Sequence, residues 1–403
     1  MPTVTQPPPT RAAPSSPRRD ADVEALIKEA RRRQRKRQAL IATGVLAVAA
    51  AVAIAVKGLT GGGAESRRAA ARPGAGARAS VTTPFAVGAA TSMALRGGKV
   101  VQPRKQWAGL VIARPAAQSC TRVALPHSGV DIVFSGRRYA YQVGGNVIAV
   151  GVVGRGRPHR IVARYQTWPQ SPSISPAWVD RRLGLLESNA PRFHLAGRRI
   201  TFHVPPGAQF GGILAASHGR IMYDVSWQNE WGTAVAKTAT FVYANGVTKL
   251  VRQIRHSPVP WGVEASWSPN GSRIAFLERG ELWTMRADGS DPRRLTSTPT
   301  IAKMGPLLWS PDGKTIVYDA VQHQVSDVYS IPAGGGEPRQ LTHSKALPPP
   351  VNGGGTRPLV WLGSTALAVA SGNSLGVVDL AGGAVHTICT FPLMSFGSAT
   401  ALG

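Results

Sequence analysis

A motif that begins at Trp267 and returns 42 residues later at Trp309 predicts an all-β fold, a six- or seven-bladed β-propeller. An apolar run near the amino terminus predicts one transmembrane helix ahead of it. The first copy reads Trp267-Ser268-Pro269-Asn270-Gly271, Arg273-Ile274-Ala275-Phe276, Leu282-Trp283-Thr284-Met285, Ala287-Asp288-Gly289-Ser290 and Arg293-Arg294-Leu295-Thr296. The second reads Trp309-Ser310-Pro311-Asp312-Gly313, Thr315-Ile316-Val317-Tyr318, Val328-Tyr329-Ser330-Ile331, Gly334-Gly335-Gly336 and Arg339-Gln340-Leu341-Thr342. A period of about 40 to 50 residues is the size of a four-stranded propeller blade.

Taken in order, residues 1–38 open Pro-rich and end in a polar helical run that closes on Arg31-Arg32-Arg33-Gln34-Arg35-Lys36-Arg37. Such a segment has too little apolar surface for a core and is expected to be a disordered basic cytoplasmic tail. Ala39 to Val56 is an 18-residue run of Ala, Val, Leu and Ile broken only by Thr43 and Gly44. At about 1.5 Å per residue it spans about 27 Å, close to the hydrocarbon thickness of a bilayer. Residues 39–57 are therefore read as a transmembrane helix, with a cleaved signal peptide and a buried core helix as rival readings. The 38-residue leader favours an uncleaved signal anchor, because cleaved signals carry short leaders. Ten Lys and Arg precede the run, among them Arg31, Arg33 and Arg37, and Lys57 follows it. The positive-inside rule then leaves the amino terminus in the cytoplasm and exports the rest. Residues 58–83, with Gly61-Gly62-Gly63 and Arg72-Pro73-Gly74, read as a flexible linker. Residues 84–403 are left for the propeller.

Within each strong copy the turn chemistry fits a hairpin. Ser-Pro-Asp/Asn-Gly sets Pro at the second turn position, and Gly271 and Gly313 stand where a positive φ starts the returning strand. The runs that follow are short, β-branched or aromatic, and apolar on both faces, as strands held between neighbouring blades must be. Trp267 and Trp309 each supply a large apolar surface, roughly 150 to 250 Å², to lock adjacent blades.

These residues, W-S-P-D-G with Asp312, the A-D-G-S turn and R-R-L-T, resemble the signature of TolB-like, WD-repeat-like β-propellers. Weaker copies extend the pattern, giving units that begin near Gly98, Gly136, Gly219, Gly271, Gly313 and Gly363. Between the second and third lies Tyr165 to Gly212, a degenerate seventh blade or an insertion, in which Gly197-Arg198-Arg199-Ile200-Thr201-Phe202 resembles a blade opening. The resemblance implies a protein-interaction role in envelope maintenance. Blades of this kind also accompany serine peptidases and kinases, but neither a hydrolase nor a kinase domain accompanies the repeats in this sequence.

Charge narrows the partners. The chain carries 47 Lys and Arg against 20 Asp and Glu, a net +27, and residues 81–403 alone carry 32 against 15, leaving +17. A basic field on an exported domain predicts an anionic wall polymer, a lipid surface or an envelope protein as partner, and not nucleic acid. No catalytic, cofactor-binding or metal-binding residues are singled out, because G-x-S-x-G, H-E-x-x-H, phosphate-loop and calcium-loop patterns are all missing. Gly313-Lys314-Thr315 mimics the end of a phosphate loop, yet Leu308 stands where its first Gly belongs. Asp288 and Asp291 are expected to bond their own turn rather than share a cation. Trp227 and Trp231, around Glu230, are expected to be packing residues. Cys120 and Cys389 fall in the first and last units, which a ring makes neighbours; outer strands that fan apart oppose a bridge, so pairing is left open. The expectation is a monomeric, membrane-anchored extracytoplasmic propeller that binds an envelope protein or polymer and is not an enzyme. The alternative is a propeller enzyme, of lyase or lactonase type, with ionisable groups converging in the central channel.

Overall fold

The computed structural model describes residues 81–403 except short segments at 92–93, 97–98, 102–106, 126–131, 144–146, 156–159, 165–173, 188–190, 229–234, 256–263, 298–301, 323–324, 345–354, 381–384 and 392–393. The basic tail, the run at 39–57 with its flanks Arg31, Arg33, Arg37 and Lys57, and nearly all of the linker lie outside the described residues, as does Trp231. Among the described residues no helix is long and apolar enough to cross a membrane.

The described chain folds into seven four-stranded antiparallel sheets, each a blade. Blades 2 to 7 are sequential four-strand meanders at residues 132–164, 174–201, 209–255, 265–294, 302–340 and 356–390. Blade 1 is built from both ends of the ring: Met394–Ala401 supplies its inner strand and pairs antiparallel with Phe85–Thr91, with Phe85 opposite Ala401. Ala108–Arg114 and Ser119–Ala124 complete that sheet. Joining first and last strands in one sheet leaves no exposed inner edge, which is how a closed ring avoids edge-to-edge association.

The core is divided among the interfaces between blades. Ile316, Tyr318 and Ala320 pack with Ala275, Leu282 and Leu295 of blade 5, while the alternate residue Val317 packs with Trp361, Leu367 and Val369 of blade 7. Period-two alternation thus sends successive side chains to opposite neighbours, and both faces must be apolar. The repeat tryptophans stand at these seams. Trp267 packs among Met222, Val242 and Val251 of blade 4, and the indole N–H of Trp309 donates to the backbone carbonyl of Ser266 in blade 5 at 3.3 Å.

The two strong copies build the same turn. Ser268 Oγ donates to Asn270 Oδ1 (2.8 Å) and accepts from Arg273 N (2.9 Å); Ser310 does the same with Asp312 (2.5 Å) and Thr315 N (2.9 Å). Gly271 and Gly313 sit at φ 66° and 71°. Gly313-Lys314-Thr315 therefore belongs to a hairpin.

The structure decides two readings left open and corrects two expectations. Tyr165 to Gly212 is not an insertion: Ile174–Val179, Arg182–Glu187, Arg192–Leu195 and Arg198–Thr201 form a full third blade, making seven. Gly197 does not open a blade; it lies in the outer hairpin, between strands that pair Leu195 with Arg198. The unit placed at Gly98 starts earlier, at Phe85, whereas Lys99–Val101 pairs with Ala94–Arg96 as a separate two-stranded ribbon. Fanning of the outer strands does not keep the cysteines apart. A Cys120–Cys389 disulfide, Cα–Cα 6.3 Å, joins the outermost strands of blades 1 and 7.

Candidate functional site

A cleft of about 850 Å³ lies between blades 3 and 4, at the end of the ring that carries the first and last hairpin turns of each blade. Its apolar floor is Val179, Leu195, Ile200 and Tyr243, and its rim carries Arg181, Arg182 and Arg198. Tight two-residue turns bring these cations together. Val179 pairs directly with Arg182 across Asp180-Arg181, and Leu195 with Arg198 across Ala196-Gly197. Asp180 and Ala196 take φ 55° and 51°, the left-handed region that short turns demand. From blade 4, Asn245 at φ 50° and Gly246 at φ 87° close the rim.

Asp180 is the one carboxylate lining this cleft among the described residues, and it is already engaged. Its oxygens accept the backbone N–H groups of His218 (2.7 Å) and Gly219 (2.9 Å), while Ser135 Oγ of blade 2 donates to its carbonyl at 2.8 Å. Asp180 thus stitches three blades together. Arg181, Arg182 and Arg198 are exposed and have no ion-pair partner among the described residues. A planar guanidinium offers several N–H donors in a fork that matches carboxylate and phosphate oxygens, so three of them over an apolar floor have the chemistry to hold anionic groups.

Two buried carboxyls lie farther along the second strands of blades 4 and 6. Tyr223-Asp224 in blade 4 and Tyr318-Asp319 in blade 6 repeat the same pair on the second strand of their blades. Both carboxyls are buried, and desolvation pushes each up to about 6. Asp224 lies against Gly211, where a Cβ would meet its Oδ1 at 2.5 Å. Asp319 accepts from Ser326 Oγ at 3.1 Å through one oxygen; the other is buried without a hydrogen-bond partner among the described residues. The Arg357 guanidinium of blade 7 draws the Asp319 carboxyl back down and Glu264 pushes it up, so these three charges share a field. Among the described residues no group of three or more His, Cys, Asp or Glu could hold a metal ion.

The residues singled out in the sequence fall elsewhere. Asp288 Oδ1 accepts from Ser290 N (2.9 Å) and Oγ (2.6 Å), which holds its carboxyl below the ordinary range. Asp291 pairs with Arg273 at 3.5 Å. Trp227 donates to the carbonyl of Pro206 at 3.1 Å with Lys237 Nζ 4.1 Å above its ring. Trp267, Gly271, Trp309, Asp312 and Gly313 are framework. The cleft arginines were missed because they lie in the degenerate stretch. The available signal was Trp178, whose indole N–H donates to the Val133 carbonyl at 3.1 Å in the same blade-to-blade manner as Trp309.

No family model matches the chain. Among curated proteins, 75 residues are 39% identical to a tricorn protease homolog of Streptomyces coelicolor, covering 18% of this chain and 6% of that protein. A further match, 31% identical over 83 residues, is to an uncharacterized protein of Agrobacterium fabrum and covers 19% and 27% of the two chains. The chain thus spans a small part of the curated relatives it matches. Solved structures similar to the chain include an oligogalacturonate lyase in complex with manganese (13% identity, 76% of this chain and 85% of that one, TM-score 0.47). TolB from Acinetobacter baumannii is another (12% identity, 79% and 82%, TM-score 0.43).

Proposed function

We propose that the chain is a binding propeller that holds an anionic envelope polymer at the outer face of a membrane, with residues 39–57 as its anchor. The observation that carries this reading is the cleft between blades 3 and 4, where Arg181, Arg182 and Arg198 have no ion-pair partner among the described residues and the adjoining carboxylate of Asp180 is occupied by backbone N–H groups. The Cys120–Cys389 bridge supports export, because such bonds persist in oxidising compartments. Envelope proteins are the other partner class; the apolar floor under the arginines favours a polymer with flat anionic units.

The test is retention of the full chain on protein-free envelope polymer. Raising salt from about 0.01 to 0.15 M shortens the screening length from about 30 to 8 Å. Partial retention at the higher salt supports a shaped site. Complete release reduces the reading to a general basic field, and no retention at either salt overturns it.

A second reading, a channel enzyme, rests on Asp319. A carboxyl near 6 with one unpartnered oxygen, beside Arg357, has the proton affinity of a general base at neutral pH. Turnover of a uronate or lactone that disappears in Asp319→Asn, with folding intact, would favour it over the binding module.

A further inference from the structure

The arginine cleft is not isolated on its face. A smaller one, about 230 Å³, lies between blades 5 and 6 and is lined by Arg273, Arg293, Trp309 and the Asn270 and Asp312 turns. Both are bounded by the turns that join first to second and third to fourth strands, so both open on the same end of the ring. Between them, at the seam of blades 4 and 5, His218 and Arg220 abut the Gly271 turn: a Cβ on Gly271 would lie 2.8 Å from the His218 ring and 3.1 Å from Arg220 Nη2. The Arg220 guanidinium lies 5.0 Å above the Trp267 ring, which holds it in place. Three consecutive seams therefore carry cations.

Four acids of this end are engaged locally, while Glu337, in the turn joining the third to the fourth strand of blade 6, is exposed. Asp180 holds the blade 4 turn, Asp288 and Asp312 accept from Ser290 and Ser310, and Asp291 pairs with Arg273. Arg293 lines the second cleft and Lys314 directly follows its Asp312-Gly313 turn; neither has an ion-pair partner among the described residues.

We infer that the ligand is an extended polyanion laid across the seams of blades 3 to 6, rather than a single anionic group seated in one cleft. This rests on the anion-binding reading above and adds to it that two clefts act together. When two subsites engage one chain, the second event is intramolecular, and affinity rises by a factor set by the effective concentration. A ligand confined to one cleft gains nothing from length once its own groups are satisfied.

Inorganic polyphosphate of defined length serves as probe, titrated into the full chain at fixed salt with affinities compared per phosphate. Expected is a gain on the order of 10- to 100-fold from tripolyphosphate to a chain of some 30 phosphates. Arg293→Gln with Lys314→Gln should abolish that gain while tripolyphosphate still binds at the cleft between blades 3 and 4. Arg181→Gln, Arg182→Gln and Arg198→Gln together should remove the short-chain binding, with melting temperature as the control for folding. Equal per-phosphate affinity at both lengths, or a length gain that survives Arg293→Gln with Lys314→Gln, overturns the two-cleft track and leaves the single cleft standing. No binding at any length overturns both.

Discussion

Blades 5 and 6 and blade 3 reach the same architecture by different local means. In blades 5 and 6 the first turn is a Ser-Pro-Asn/Asp-Gly loop, with the Ser hydroxyl and the Asn or Asp carboxamide or carboxylate closing it internally. In blade 3 the same corner is the two-residue Asp180-Arg181 turn, and its polar side chain points outward to bond the next blade. A self-satisfied turn leaves its neighbours free; a turn whose carboxylate is spent on the next blade depends on them. What all three retain is a tryptophan on the inner strand that packs against the preceding blade. Trp309 and Trp178 also donate to that blade's backbone, at Ser266 and Val133, whereas the indole N–H of Trp267 in blade 5 is buried without a hydrogen-bond partner among the described residues. The packing of the tryptophan thus recurs where the turn differs, and the blade with the two-residue turn lines the arginine cleft.

The largest expected effect separates both kinds of blade from the closure of the ring. The Cys120–Cys389 bridge closes a loop of 269 residues, for which the chain-entropy relation gives a stabilisation of about 5 kcal/mol. Cys120→Ser with Cys389→Ser should lower the unfolding midpoint by a corresponding amount, and the oxidised wild type should run faster on non-reducing gels than the reduced form. Identical mobilities would remove the covalent latch and leave closure to the Phe85–Thr91 and Met394–Ala401 pairing.

Next come the tryptophans. Trp309→Ala should cost about 3 to 5 kcal/mol, because a buried ring and its cross-blade bond are lost together. Trp178→Ala should cost less, since its ring is only half-buried, but should still loosen blade 3 against blade 2. Denaturant titration of the two variants checks this; a neutral Trp178→Ala would mean that blade 3 is held by its neighbours through Asp180 alone.

A smaller effect concerns the paired aspartates. Burial raises the folded Asp224 carboxyl from 3.8 to about 6, so the folded state keeps its proton where the unfolded chain has lost it. This contribution to stability is greatest below pH 4, falls as pH rises to about 6, and above that is a constant cost of about 2 to 3 kcal/mol. Asp224→Asn should therefore stabilise the protein by up to that amount at pH 7.5 and by little at pH 4. Asp319→Asn should gain less, because it leaves the Arg357 guanidinium without its counter-charge. Thermal melts at the two pH values distinguish the positions, and equal gains would mean that Arg357 does not compensate Asp319.

Legibility in the sequence followed the turns. Where Pro, Asn or Asp and Gly stand together after Trp, as at Trp267 and Trp309, the first hairpin turn of the blade was readable, though the inner strands begin before the motif, at Ala265 and Ala302. Where Asp180 or Ala196 adopts the left-handed conformation without such a cluster, the strand order was not readable, and blade 3 could be read either as a degenerate blade or as an insertion. The first blade was misplaced for another reason: its inner strand comes from the far end of the chain, and no local pattern announces that Met394–Ala401 completes a sheet begun at Phe85. The candidate site was illegible because its parts, Arg181, Arg182 and Arg198, gain meaning only when two hairpins of one blade meet the Asn245-Gly246 turn of the next. Only the overall basic charge foreshadowed it.

The most direct measurement sets the cleft against the field. The variant Arg181→Gln, Arg182→Gln, Arg198→Gln is compared with a variant of equal charge loss at exposed arginines outside the cleft, Arg138→Gln, Arg155→Gln, Arg279→Gln, each as full chain on protein-free envelope polymer at about 0.15 M salt. The account predicts that the cleft variant loses at least about tenfold in affinity, roughly 1.4 kcal/mol, while the control stays within about twofold of wild type. Equal losses in the two variants would contradict it, leaving a diffuse basic surface with no shaped site between blades 3 and 4.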